Sequence, residues 1–169
     1  MKERKIATVL MVSFLLMIGL GINCHAEEKS PTLIVQSFFH YGTDDDDEFE
    51  FLYFRPANEI DELLESHGFS LVNSGVEYIE DYYDYFAFKI YKANGIEVKV
   101  DVSPEGKNIV HFIEMKFDSR DVKQKFLDDS EREGLEKEDD VYFLDGFCES
   151  GIVVRLLDNN ILWICDFLV

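Results

Sequence analysis

The sequence has little positive charge: 16 Lys and Arg stand against 35 Asp and Glu, which gives a net charge of −19. Such an excess repels a phosphate backbone, so nucleic acid is not an expected partner. Its three cysteines are too few for a scaffold of several disulfides, and it lacks a glycine-rich phosphate loop, an HExxH motif and paired CxxC motifs. We therefore expect no cofactor, and composition alone does not name a function.

The composition is that of a globular protein. Hydrophobic residues make up 47% of the chain and charged residues 30%, which separates it from disordered and collagenous proteins. A length of 169 residues is enough for one hydrophobic core.

Residues 1–26 have the pattern of a secretory signal peptide. Three of the first five residues are basic, an uncharged run follows from residue 6 to residue 22, and Cys24-His25-Ala26 offers the small residues of a cleavage site. The pattern predicts export to the periplasm or the medium. One alternative is a membrane anchor, since the run has the minimum length of a spanning helix. Another is lipid attachment at Cys24, whose preceding residues fit such a site poorly.

Cleavage would remove three basic charges and one acidic charge from the total of −19, leaving −21. It would also leave Cys148 and Cys165 in a compartment where a disulfide can persist. We predict two buried thiols. Residues 141–167 are predicted below to form a three-stranded meander, and the two cysteines belong to its first and third strands. That separation is nearly 10 Å, beyond the Cα limit of about 7 Å for a bridge.

Residues 27–56 are predicted to form an acidic N-terminal arm and a strand. Residues 44–48 are Asp44, Asp45, Asp46, Asp47 and Glu48, a charge block typical of a solvated loop. A Ca²⁺ site is the alternative, but the block lacks the alternating ligand spacing and central glycine of a calcium loop. The strand would begin at residue 49 and run to Arg55-Pro56, where Pro56 stops it.

Residues 57–117 predict a helix followed by three strands. Ile60, Leu63 and Leu64 have helical spacing, Asn58 is the expected N-cap, and Gly68 ends the helix. The strands are predicted at residues 86–90, 96–102 and 109–117, and their alternation indicates an antiparallel meander with an apolar and a charged face. Apolar residues of all three strands, together with His111, are assigned to the core face.

Residues 118–169 repeat this order. Asp118 or Ser119 can cap a second helix that ends at Gly134, and strands are predicted at residues 141–147, 151–157 and 161–167. Residues 95–100 match residues 151–156, and residues 109–115 match residues 161–167, which indicates a degenerate tandem repeat; coincidence is the alternative. The predicted fold is α+β, with tandem αβββ units in one antiparallel sheet, both helices on one face, and an open, charged second face.

At this level the chain resembles the architecture of the beta-lactamase inhibitor protein and similar envelope proteins. The resemblance covers residues 57–169 and rests on the helix ends at Gly68-Phe69 and Gly134-Leu135 and on the hairpins that lead into Ile96 and Ile152. It implies an architecture only, and no functional residue is transferred from it.

A segment rich in tyrosine and acid is the predicted binding site. Its residues are Tyr78, Glu80, Asp81, Tyr82, Tyr83, Asp84 and Tyr85. Tyrosine offers a large contact area at low entropic cost, and acidic neighbours suit a protein with a basic surface. The alternative is that half of these rings only cover the edge of the sheet.

Three classes of function follow from these patterns. The leading hypothesis is an exported, non-enzymatic protein-binding module of the inhibitor, immunity or envelope-assembly type. A small secreted hydrolase is the second, using two carboxylates drawn from Glu77, Glu80, Asp81 and Asp84. The third is a module that binds a cation or a small ligand. His40, His67 and His111 do not have metal-ligand spacing, so no metal site is predicted.

Overall fold

The computed structural model describes residues 32–43, 50–80, 83–103, 108–139, 141–144, 152–158 and 160–166. The predicted signal peptide with Cys24, the acidic block at residues 44–48, and Cys148 lie outside these residues. The predictions made for them therefore stay predictions.

The described chain is α+β, with two α-helices and a large antiparallel sheet. After a short 3₁₀ turn at Val35–Phe38, the elements in chain order are β1 (Phe39–Thr43), β2 (Glu50–Phe54), α1 (Ala57–Ser66), β3 (Ser70–Ile79), β4 (Asp84–Ala93), β5 (Ile96–Val102), β6 (Val110–Phe117), α2 (Arg120–Arg132), β7 (Leu135–Glu138), β8 (Val141–Leu144), β9 (Ile152–Asp158) and β10 (Ile161–Asp166).

Eight of the strands form one sheet in the order β3-β4-β5-β6-β10-β9-β8-β7, while β1 and β2 form a separate hairpin. The sheet is joined at its centre by β6 and β10, where Ile113 lies opposite Ile164. Four strands follow each helix instead of the predicted three, because β3 and β7 had not been predicted. The centre of β3 is Asn73-Ser74-Gly75, residue types of low strand propensity, which explains the omission.

Both helices and the sheet contribute to one hydrophobic core. Its members include Ile60 and Leu64 of α1 and Phe126 and Leu127 of α2. From the strands come Val98, Val100, Ile113, Met115, Ile152, Val154, Leu162 and Ile164. The N-terminal segment belongs to the same core through Val35, Phe38, Phe39, Leu52 and Phe54.

The structure corrects the predicted core face of β4. Phe88 and Ile90 share a face as predicted, but they lie opposite Asp101 and Lys99 on the charged side of β5. The core residue of β4 is Tyr91, opposite Val98. The predicted alternation was right, but the face of β4 that was assigned to the core was wrong. A phenylalanine-rich strand does not reveal which of its faces meets the helices.

A β-bulge explains a second correction, on β6. Val102 lies opposite Val110 and Asp101 opposite Phe112, so His111 is the extra residue. His111 is exposed rather than on the core face, with its ring edge-on to Phe86 at 5.1 Å between centroids. Partial burial lowers the pKa of His111.

Cys165 is buried, but on the face of the sheet opposite the helices. It lies opposite Phe112 and forms a small apolar cluster with Phe112 and Val153. The predicted match of Cys165 to the core residue Ile113 was therefore wrong by one residue, since Ile164 takes that place. A one-residue change of register exchanges the two faces of a strand.

The helix N-termini are capped in two different ways. On α2, the Oγ of Ser119 accepts a hydrogen bond from the Val122 amide at 3.3 Å, as predicted. On α1 the predicted cap Asn58 was wrong, because Pro56 precedes the helix and places Asn58 inside its first turn. Asn108 caps the helix instead. Its backbone carbonyl accepts a hydrogen bond from the Ala57 amide at 2.9 Å, and its side-chain Oδ1 accepts one from the Asn58 amide at 3.1 Å.

Ser130 connects the N-terminal segment to α2. Its fully buried Oγ donates to the Phe126 carbonyl at 2.8 Å and accepts from the Val35 amide at 3.1 Å. The Gln36 side-chain amide also donates to the Ser130 carbonyl at 2.8 Å.

We expect Ser130→Ala to lower the free energy of unfolding by about 1–3 kcal/mol, because it leaves the Val35 amide buried without its acceptor. Ser66→Ala is the matched control, since the exposed Ser66 hydroxyl also donates to a carbonyl of its own helix, that of Leu63. Urea denaturation of both variants measures the difference. Equal stabilities would contradict the assigned role of Ser130.

Candidate functional site

The β3–β4 hairpin carries an exposed patch on the helix side of the sheet. Val76 lies opposite Ala87 and Tyr78 opposite Tyr85, and alternation places all four on the same face. Because β5 ends at Val102, opposite Ala87, Tyr85 has no neighbour on that strand. Val76, Tyr78 and Tyr85 are 67%, 50% and 60% exposed. We call Val76, Tyr78, Tyr85 and Ala87 the tyrosine strip.

The rings of Tyr78 and Tyr85 contact each other across the hairpin. Their centroids are 5.2 Å apart with an interplanar angle of 59°, a tilted arrangement that stabilises aromatic pairs. Such a contact restricts the motion of both rings, which lowers the entropy that either ring would lose on further burial.

Tyr83 projects from the turn of this hairpin. It is 81% exposed and has a φ of +53°, a left-handed conformation that is unfavourable for tyrosine. Its amide donates to the Glu80 carbonyl at 3.2 Å. Because most of its surface is exposed, the Tyr83 side chain is available for contact with another molecule.

The structure places five of the seven predicted site residues. Tyr78 belongs to β3, Asp84 and Tyr85 belong to β4, and Glu80 and Tyr83 lie in the turn. Asp81 and Tyr82 lie outside the described residues. The predicted loop is thus a hairpin, because β3 continues to Ile79 and β4 begins at Asp84.

A groove runs beside the tyrosine strip. Its volume is about 740 Å³ and its wall is mostly apolar. Val76 and Tyr85 line one part of it, and Val102, Ser103 and Asn108 line another. Val76 and the groove were not predicted from the sequence. The alternation of Ser74, Val76 and Tyr78 was the available signal, but the polar residues at the centre of β3 obscured it.

The end of the hairpin is negatively charged. Its lysines are engaged elsewhere, since Lys89 forms an ion pair with Asp61 and Lys92 one with Glu97 at 2.6 Å. Within the described part of the chain, neither Glu80 nor Asp84 forms a salt bridge. Among the described residues, no cation offsets the negative charge beside the tyrosines.

A polar contact anchors the base of the hairpin to α1. The Tyr91 hydroxyl donates to Asp61 Oδ1 at 2.6 Å, and Lys89 contacts the other oxygen of the same carboxylate. Burial and the bond to Asp61 raise the pKa of Tyr91 well above its usual range. Tyr91 therefore keeps its proton, and so remains a hydrogen-bond donor, at neutral pH.

A charged cluster lies on the opposite face of the sheet. Lys99 of β5 reaches across β4 to Glu77 of β3 and also pairs with Asp101 at 3.2 Å. Its ammonium group lies over the Phe88 and Phe112 rings, 5.5 and 6.0 Å from their centroids. We call Lys99, Glu77 and Asp101 the lysine cluster.

Asp101 is the most buried charged group of this cluster. Its relative exposure is 0%, and its Oδ2 has no hydrogen-bond partner among the described residues. Burial raises the pKa of Asp101 to about 6, although the nearby Lys99 acts in the opposite direction. Burial also opposes the charge of Lys99, but its contacts with Glu77 and Asp101 outweigh this effect and raise the pKa of Lys99.

Among the described residues, one carboxylate of the hydrolase alternative lies apart from the others. Glu77 is directed to Lys99 on the face opposite the helices, whereas Glu80 and Asp84 lie at the exposed end of the hairpin. Asp81 is outside the described residues. The same part of the chain contains no group of three or more His, Cys, Asp or Glu side chains that could hold a metal ion.

Among the described residues, neither helix has the length and apolar character needed to cross a membrane. Comparisons with protein-family models, curated proteins and solved structures found no family, no relative and no structure that matches this chain.

Proposed function

We propose that this protein is an exported, non-enzymatic module that binds another protein through the tyrosine strip and the acidic end of the β3–β4 hairpin. The observation that carries the proposal is the exposure of Tyr78, Tyr83 and Tyr85, each at least half exposed on one hairpin. Tyrosines at the centre of interfaces often supply a large share of the binding energy. Inhibitor, immunity and envelope-assembly proteins are the types that fit.

The charge distribution supports a partner with a basic surface. The chain carries −19 overall, and beside the tyrosines Glu80 and Asp84 form no ion pair with another described residue. Complementary charge accelerates encounter and selects the partner, and its effect decreases with added salt. Binding should therefore be tightest at low ionic strength.

We also propose that α1–β6 and α2–β10 are two copies of a degenerate repeat, in the manner of the beta-lactamase inhibitor protein architecture. Each helix ends at a glycine of positive φ, Gly68 (+81°) and Gly134 (+110°), and a buried residue follows, Phe69 or Leu135. β5 and β9 are offset by the predicted 56 residues at both ends. The strand beside each of them carries a buried tyrosine at the equivalent position: Tyr91 of β4 lies opposite Val98, and Tyr142 of β8 lies opposite Val154.

The binding proposal is tested with the double variant Tyr78→Ala/Tyr85→Ala. Loss of two central tyrosines should reduce binding at least about tenfold. Tyr53→Ala is the matched control, since Tyr53 is an exposed tyrosine on β2, outside the strip. Immobilised wild type and both variants are incubated with envelope and secreted extracts, and the bound proteins are quantified by mass spectrometry.

We expect basic proteins that the wild type and Tyr53→Ala retain, that the double variant loses, and that elute with salt. If the double variant binds the same proteins in the same amounts as the wild type, the tyrosine strip is not the binding site. If none of the three binds a protein from either extract, the protein-binding hypothesis itself is contradicted.

A further inference from the structure

The two edges of the eight-stranded sheet are protected to different degrees. β7 has only four residues, and three of them are charged: Glu136, Lys137 and Glu138. β3 has ten residues with a single charge, Glu77, and contains neither lysine nor proline. Proteins keep sheet edges from pairing by short strands, charge, proline or bulges. The bulge of β3 lies between Leu71 and Asn73 and leaves the rest of the strand unprotected.

The hydrogen bonds of Ser74 indicate which groups face this edge. The Ser74 amide donates to the Asn73 side-chain Oδ1 at 2.9 Å, as expected for an amide directed away from β4. Amides in an antiparallel strand alternate between its two sides. Ser74, Val76 and Tyr78 therefore present their backbone N–H and C=O groups to the open edge.

We propose that β3 pairs with β3 of a second copy of this chain, antiparallel and about a twofold axis at Val76. Val76 then lies opposite its own copy, and Ser74 lies opposite Tyr78 of the second copy. In this register each residue whose backbone groups face the open edge meets another such residue, and each such pair exchanges two backbone hydrogen bonds. The Ser74 amide then donates to the Tyr78 carbonyl of the second copy in place of Asn73 Oδ1. The interface is isologous, so it closes at a dimer.

The side chains of β3 fit this occupant because the register is self-complementary. The exposed Val76 packs on its own copy, and Glu77, the one charge of the strand, faces Gly75, which has no side chain to oppose it. Glu77 is also neutralised by Lys99. In the dimer, Glu80 of each chain lies beside the first residues of β3 in the second copy, which carry no charge. The acidic ends of the two hairpins are therefore kept apart.

The net charge predicts that the salt dependence of dimerisation is opposite to that of binding a basic protein. Two chains of −19 repel each other at long range, and salt screens this repulsion. The dimer should therefore tighten as salt is added, whereas binding to a basic protein should weaken. This inference goes beyond the proposed function. The molecular mass of the protein in solution tests it, with no binding partner present. In the dimer the two tyrosine strips lie side by side across the axis.

Sedimentation equilibrium of the purified protein tests the pairing, at salt concentrations of about 0.05 and 0.5 M. We expect twice the mass of the single purified chain, with stronger association at the higher salt. Val76→Lys and Val76→Glu should each weaken association at least about tenfold, because like charges then meet across the axis. An equimolar mixture of the two variants should dimerise again, since opposite charges now meet.

Leu157→Lys is the control, an exposed apolar residue on β9 that should leave the dimer intact. Circular dichroism verifies that the variants fold, as expected for substitutions at exposed positions. A wild type that is monomeric at both salt concentrations would overturn the proposal. So would a dimer that tolerates both Val76 variants, or one that the mixture does not restore.

Discussion

Lys99→Met is expected to lower the free energy of unfolding by about 3 kcal/mol at neutral pH. Lys99 is the cation that pairs with both Glu77 and the fully buried Asp101. Removing one member of a buried ion pair leaves the other charge uncompensated, which costs more than the pair itself contributes. Methionine keeps most of the volume of the side chain, so the measured loss reports charge rather than packing.

Lys116→Met is the matched control for this experiment. Lys116 lies on the same face of the sheet and contacts Glu114 at 3.1 Å and Glu97 at 3.8 Å, but its side chain is half exposed. Exposed ion pairs contribute little, so we expect a change below about 1 kcal/mol. Urea denaturation of both variants gives the comparison, and equal losses would show that the lysine cluster is not effectively buried.

Asp101→Asn is expected to raise the stability at pH 7 by about 2 kcal/mol and to leave it unchanged near pH 4. Burial raises the pKa of Asp101 to about 6 in the folded protein, above the ordinary value of about 3.9 for an aspartate. Between these two values the folded state binds more protons than the unfolded state, so stability falls as pH rises through this window. Because asparagine cannot ionise, the stability of the variant does not decrease in this way as the pH rises.

The measurement is the free energy of unfolding of wild type and variant at several pH values between 4 and 7. Glu97→Gln serves as the control, since it removes another carboxylate from the same face of β5, and Glu97 is not among the groups that act on Asp101. The groups that act on Asp101 are Lys99, Glu77 and Glu114, so the profile of Lys99→Met should also change. Parallel pH profiles of wild type and Asp101→Asn would contradict the raised pKa.

The part of the fold that the sequence predicts best is the β4–β6 meander. The predicted strand at residues 96–102 has the observed bounds of β5, and Asn94-Gly95 forms the predicted hairpin turn with positive φ at both residues. These signals are local: a strict alternation and a turn that only certain residues accept. Local signals predict elements well because neighbours along the chain determine them.

The errors came from interactions between strands. The bulge at His111 depends on the pairing of β6 with β5, and the buried side of β4 depends on where α1 lies. Neither can be derived from alternation within one strand. The tyrosine site shows the same division: composition indicated Tyr78 and Tyr85, but their contact across a hairpin required the pairing of β3 with β4.

The cap of α1 has a consequence for the order of folding. Asn108 lies 50 residues beyond Asn58 and adopts a φ of +60°, at the end of the segment that joins β5 to β6. The first turn of α1 therefore has its acceptors only after these two strands have formed. A ten-residue helix is too short to persist alone in water. α1 is thus not an early, independent nucleus, and it should form cooperatively with the centre of the sheet.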